Sequence, residues 1–221
     1  LLTVFSIGFL SAKVKMSLDV GPVYTYFGSR TTHSSENKSS WATHTGGLNV
    51  LFGVEFVQNF GVYGSANFAF GQKIIDKSRV GNYNHKVITI SRWNGDLTYV
   101  IDSQFGFFYV FHPVKKMDLT LGFGLGIGGS GRNYTSTKLL VTTKEEKSQV
   151  NIGGGVNLNV SYMFTKMVGI YGGISDTLYA PVYMKTKTKI GNTDPAITEN
   201  SNASGKIAHS LNIKAGVQFV F

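Results

Sequence analysis

The sequence predicts an all-β fold, eight antiparallel strands wired up-and-down into a closed barrel whose apolar face points outward. Three observations carry this: an apolar/polar alternation of period 2 that recurs eight times, connections that alternate between short and long, and a glycine- and aromatic-rich composition. The 221 residues include 27 glycines, 16 phenylalanines and 11 tyrosines against 4 prolines, whereas a helical chain would lean on Ala, Leu, Glu and Lys. Charged residues make up 15%, well under the roughly 25% of soluble domains. Much of the surface must therefore face something other than water.

The first strand spans residues 16–28, with Leu18, Val20, Pro22, Tyr24 and Tyr26 on one face and Asp19, Gly21 and Thr25 on the other. Residues 46–57 set Leu48, Val50, Phe52, Val54 and Phe56 against Asn49, Gly53 and Glu55. Residues 61–71 set Val62, Ala66, Phe68 and Phe70 against Ser65 and Asn67. Residues 96–111 set a row of seven, Leu97 to Phe111, against Thr98, Asp102 and Gln104. In residues 118–131, Leu119, Leu121, Phe123, Leu125 and Ile127 alternate with Thr120, Gly122, Gly124, Gly126 and Gly128. A face of glycines cannot fill a soluble core, but it suits a narrow barrel where side chains from across the lumen need room. Residues 149–164 alternate Val150, Ile152, Val156 and Leu158 with Asn151, Gly153, Gly155 and Asn157. Residues 168–182 begin in phase and lose it near Asp176, which predicts a bulge there. Residues 207–221 close the set, with Ile207, Leu211, Ile213, Val217, Phe219 and Phe221 opposite Ser210, Asn212, Lys214 and Gln218.

The chemistry of the second face decides the environment. In a soluble sandwich the apolar face is internal and the other carries Lys, Glu and Thr. Here the other face is Gly, Asn, Ser, Thr and a few acids, which suits a closed, solvated lumen. The continuous apolar face then meets lipid. Short turns at residues 58–60, 112–117 and 165–167 alternate with long polar stretches at 29–45, 72–95, 132–148 and 183–206. Short periplasmic turns and long extracellular loops are the wiring of outer-membrane barrels, so the expected location is a bacterial outer membrane. No run of about 18 uncharged apolar residues is present, which excludes a spanning helix. The opening LLTVFSIGFLSA, residues 1–12, is read as the apolar part of a secretory signal peptide with cleavage after Ala12, leaving residues 13–221 as one barrel domain; the alternative is a first β-strand.

The last eight residues, KAGVQFVF, combine Lys214, Gly216, Phe219 and a terminal Phe221. This resembles the carboxyl-terminal signal of bacterial outer-membrane proteins, and the resemblance implies the barrel-assembly machinery as a partner during biogenesis. In strand number and size, residues 13–221 are similar to the OmpX, OmpW and OmpA-barrel families, a resemblance of architecture that transfers no functional residue.

The net charge of +9 is concentrated in the long connections. Lys73, Lys77, Arg79, Lys86 and Arg92 lie in one, and Lys185, Lys187 and Lys189 in another. Placed at the outer rim, they point away from nucleic acid and toward outer-membrane lipid, anionic surface groups or host molecules, the alternative being simple solvation. Asp19, Glu55, Asp102 and Lys214 fall on the lumen face, where eight strands leave room for side chains to fill the bore. An internal polar network locking the barrel is expected there, with a narrow pore as the alternative.

Cysteine is absent, which excludes disulfides and thiolate chemistry. The five histidines are scattered without ligand spacing, so no metal or other cofactor is expected. Lipid A-modifying barrels pair a His with a Ser, but period 2 sends His209 and Ser210 to opposite faces. His112 precedes Pro113 in a short turn, and His33 with Ser34 and Ser35 lies alone in the first loop. The expectation is therefore no enzyme, but a barrel whose four mobile basic loops serve surface interaction, adhesion or envelope integrity. An OmpW-like passage for small or apolar solutes is the second reading and a lipid A enzyme the third. Trp41 and Trp93, each just before a descending strand, are expected in the outer aromatic girdle.

Overall fold

A computed structural model of the chain describes residues 14–32, 37–80, 83–90, 97–138, 141–190, 197–201 and 206–221. Eight strands form the ring: β1 (Lys15–Thr32), β2 (Asn37–Val57), β3 (Phe60–Val80), β5 (Thr98–Val114), β6 (Met117–Lys138), β7 (Val141–Met163), β8 (Val168–Ile190) and β10 (Lys206–Val220). Two short strands, β4 (Tyr83–Ile90) on β3 and β9 (Ile197–Ser201) on β8, extend hairpins beyond it. All pairings are antiparallel, and β10 bonds to both β1 and β8, which closes the barrel. A closed sheet has no edge to expose in hydrocarbon, which is why this architecture tolerates lipid.

The alternation predicted from sequence is the alternation observed. Phe52, Phe105, Phe123, Leu125 and Ile174 are exposed on the outer wall, while Asn49, Asn67, Asn151, Ser210 and Asn212 are buried in the bore. Glycine gives that bore its space: a Cβ at Gly122 would stand 2.8 Å from the Tyr63 ring, and one at Gly128 would stand 3.0 Å from the Tyr179 ring. The glycine face of β6 is thus the floor on which two tyrosines from other strands lie.

Short turns close the inner end. Val57 pairs with Phe60, and Val114 with Met117, so two residues turn each hairpin. Asn59 (φ 67°) and Lys116 (φ 71°) supply the left-handed residue that such turns need. The start of β1 and the residue after β10 meet at the closure seam, where Phe221 N donates to Met16 O at 2.9 Å.

Four expectations need correction. The regions expected as long mobile loops are mostly paired strand: β6 and β7 stay in register from Met117 with Tyr162 to Lys138 with Val141, and β1 and β2 from Lys15 with Glu55 to Thr32 with Lys38. Threonine- and lysine-rich sequence lacks apolar alternation, but backbone pairing continues above the membrane because each strand already has a neighbour to extend along. The bulge is not at Asp176, which stays in phase and faces outward opposite Leu211. It lies further along the strand, where Asn151 faces Pro181 while Val150 faces Tyr183, since Pro181 has no N–H to continue the ladder. His112 belongs to the end of β5 and not to a turn. Its Nδ1 lies 2.7 Å from Asp118 Oδ1 and its Nε2 lies 2.9 Å from Asn59 Oδ1, which ties two turns together. Trp41 is the fourth, and belongs to the lumen.

Candidate functional site: a closed lumen beneath outward hairpins

Odd-numbered residues from Asp19 to Ser29 in β1 and from Trp41 to Glu55 in β2 face the bore. The Trp41 ring packs on Phe27 at 5.4 Å between centroids, with the Arg132 guanidinium 5.1 Å from the indole. Trp41 therefore caps the lumen instead of anchoring in the outer interface. Phe27, Val100, Tyr179 and Ala208, all within 2% of complete burial, form one cluster beneath it. Sequence reasoning missed this cap. Its signal was a set of large residues, Phe27 and Tyr179 above all, standing on the face otherwise reserved for Gly, Asn and Thr.

Below the cap the bore is crossed by hydrogen bonds. The Asp102 carboxylate accepts from Ser210 Oγ at 2.7 Å, from Asn212 Nδ2 at 2.6 Å and from the Tyr179 hydroxyl. Asn212 Oδ1 in turn accepts from Thr25 Oγ1 at 2.6 Å. Asn49 donates to Asn67 Oδ1 at 2.7 Å and accepts from the Tyr171 hydroxyl at 2.9 Å. Gln104 accepts from the Tyr63 hydroxyl at 3.2 Å and donates to Thr177 Oγ1. Members come from β1, β2, β3, β5, β8 and β10, so the network staples the ring across its diameter. Nearer the inner end a second apolar cluster of Leu51, Tyr63, Phe108 and Val110 narrows the bore again.

Of the four lumen residues singled out from sequence, Asp19, Asp102 and Lys214 lie within electrostatic reach of one another, the lysine feeling both carboxylates, and Glu55 stands apart. Asp19, Asp102 and Lys214 are buried at 2%, 1% and 2% exposure. Asp102 is held by neutral donors, and the Gln218 side chain bonds Asp19. Lys214 Nζ is buried without a hydrogen-bond partner. Glu55 lies at the inner rim, accepting from Asn59 N at 2.8 Å and standing 4.0 Å from Lys15, which also reaches Asp118 at 3.5 Å.

Among the basic residues, Lys187 stands 3.8 Å from Glu146, and Lys185 and Lys189 share its side of β8 two residues away on either hand. Lys73, Lys77 and Arg79 occupy strand positions in β3, and Lys86 is paired with Lys77 across the β3–β4 hairpin. Arg92, Trp93, His33 with Ser34 and Ser35, and the segment 1–12 lie outside the described residues. His209 and Ser210 do part company: Ser210 is fully buried in the lumen, and His209 lies on the outer wall with Nε2 2.6 Å from Asp176 Oδ1. No group of three potential metal ligands occurs among the described residues.

An apolar wall, a polar bore and a closed ring with short turns at one end and long hairpins at the other define a class: this is a β-barrel of the bacterial outer-membrane type, resident in that membrane. The chain belongs to the family described as a domain of unknown function, DUF2715, whose model matches residues 7–221. It is similar in fold to the outer membrane protein OprG from Pseudomonas aeruginosa, with a TM-score of 0.57 at 10% identity over 95% of this chain and 97% of that one. It is also similar to a major outer membrane protein from Thermus thermophilus, with a TM-score of 0.60 at 12% identity over 90% of this chain and 99% of that one. No curated protein matches by sequence.

Proposed function

We propose that the protein acts at the cell surface through its outward hairpins, serving surface interaction, adhesion or envelope integrity, while its barrel is a closed anchor. The observation that carries this reading is the Phe27–Val100–Tyr179–Ala208 cap with Trp41 above it, which leaves the outer end of the bore filled with side chains. The hairpins bear the basic residues, Lys185, Lys187 and Lys189 on one and Lys73, Lys77, Arg79 and Lys86 on another, and such charge attracts anionic surface molecules within about 8–10 Å at physiological salt. No catalytic step is assigned to the barrel. During biogenesis, Gly216, Phe219 and Phe221 serve as the segment read by the assembly machinery: Phe219 and Phe221 stay exposed on the outer wall, and a Cβ at Gly216 would run into Val20 and Gly21 of β1 at the seam.

Planar-bilayer recording of the refolded chain, paired with binding of dextran sulfate by the same preparation, tests the proposal. The expected result is a silent bilayer and salt-sensitive polyanion binding that falls when Lys185, Lys187 and Lys189 are replaced by Gln. Single-channel steps from the unaltered protein, reduced by Asp102→Asn or Lys214→Met, would instead favour the narrow pore.

A further inference from the structure

The outer wall carries one polar island whose residues the hairpin function does not use. Three neighbouring rows of the sheet define it. Arg30 pairs with Ile207 and Ser40, Gly28 with His209 and Ala42, and Tyr26 with Leu211 and His44. Even-numbered residues of β1 face outward, so all these side chains look toward lipid. At the centre of this grid stands Gly28, which has no side chain. The Tyr26 hydroxyl leans over it, 3.3 Å from where a Cβ would stand, and beside it lies a notch of about 370 Å³ whose lining includes Arg30, Ser40, Ile207, His209 and the bore-facing residues Ser29 and Trp41.

The polar groups around the notch are held in place. The Tyr24 hydroxyl is hydrogen-bonded to His44 Nδ1, and the Tyr26 ring packs on His44 at 5.3 Å. His209 is backed by Asp176 at 2.6 Å, which fixes its ring from the β8 side. Arg30 sits one row further toward the hairpin end and is exposed. The rows toward the inner end are apolar: Tyr24 is 44% exposed and Ile213 is 50% exposed on the wall. A ligand fitting this order has a negative head at Arg30, away from the Asp176 carboxylate that holds His209, and a hydrocarbon tail running down the wall.

We infer that the Gly28 notch is a binding site for the acidic, phosphate-bearing headgroup of an outer-leaflet lipid, with Arg30 pairing to the phosphate and the Tyr26 hydroxyl donating to its oxygens. An arginine fork matches phosphate geometry, and the neighbouring hydroxyl adds a second kind of donor. Acyl chains of the same lipid lie over the wall below, where apolar surface otherwise has only generic lipid to meet.

The full chain, refolded and reconstituted into phosphatidylcholine nanodiscs containing a minority of phosphatidylglycerol, is analysed by native mass spectrometry for lipids that stay bound after release. The expected result is selective retention of phosphatidylglycerol by the unaltered protein. Retention should fall about tenfold in Arg30→Ala, the loss of one charge-assisted hydrogen bond. Gly28→Val should do the same by pushing the Tyr26 hydroxyl out of place, and a β-branched apolar residue suits a lipid-facing strand position, so the variant keeps the fold. Heat-modifiable migration on a gel checks that each variant is folded. Equal retention of the two lipids, or of phosphatidylglycerol by all three proteins, overturns the site. Displacement by soluble glycerol phosphate as readily as by the lipid overturns the lipid assignment.

Discussion

Truncating Tyr179 tests the closed lumen most directly. Its ring lies across the bore above Gly126 and Gly128, its hydroxyl donates to Asp102, and it is 2% exposed. Tyr179→Ala removes an aromatic side chain from a packed cluster, a change that costs about 3–5 kcal/mol where the cavity stays dry. Here water can enter from the polar bore, and Asp102 keeps Ser210 and Asn212 as donors, so the expected cost is at the lower end, about 3 kcal/mol. That is a change of roughly two orders of magnitude in the folding equilibrium. Tyr179→Phe removes the hydroxyl alone and, because the lost bond is to a carboxylate that keeps two other donors, should cost about 1.5 kcal/mol. Urea titration of the refolded proteins in lipid vesicles, followed by gel mobility and tryptophan fluorescence, measures both. Bilayer recording of the same samples should show steps for Tyr179→Ala and none for Tyr179→Phe. An alanine variant as stable and as silent as the unaltered protein would refute the reasoning, because the ring would then be neither packing the bore nor blocking it.

Three further outcomes follow from the same geometry. Gly128→Val should destabilise the barrel by about 1–3 kcal/mol through overpacking against Tyr179. Gly154→Val lies on the outer wall, where the nearest atom to an added Cβ, Gly124 O, would stand 3.8 Å away; it should fall within about 0.5 kcal/mol of neutral in the same urea assay. Leu125→Arg places a charge at a wall position that is 71% exposed, and it should cost about 2–4 kcal/mol if that position lies near mid-bilayer. Refolding yield and stability in vesicles measure it, and a neutral result would mean that Leu125 does not meet hydrocarbon.

Strand number, facing and wiring are legible in the sequence because each follows from period 2, and lipid outside makes that period unusually clean. Phe123 and Gly124 declare their sides of the sheet without any tertiary information. The lumen is legible only in part. Asn, Ser and Thr at inward positions announce a polar bore, but their partners come from strands far apart in sequence: Asp102 meets Ser210 and Asn212 across 108 and 110 residues. Alternation carries no record of which strand stands opposite. The hairpins look like loops in the sequence because above the membrane neither face needs to be apolar, so the signal that marks a strand disappears although the backbone pairing does not. His209 and Asp176 each stand out in the sequence, His209 by its face and Asp176 by an apparent loss of phase. Their meeting requires the β8–β10 register, which only ring closure supplies.

The network around Asp102 joins its carboxylate to hydroxyl and amide donors, with no lysine or arginine among the partners that reach it at 2.6 and 2.7 Å. Short-range bonds of this kind, buried away from mobile ions, are beyond the reach of Debye screening. Brine and dilute medium should therefore leave these hydrogen bonds equally formed, and salt should act first on the charged ribbons outside.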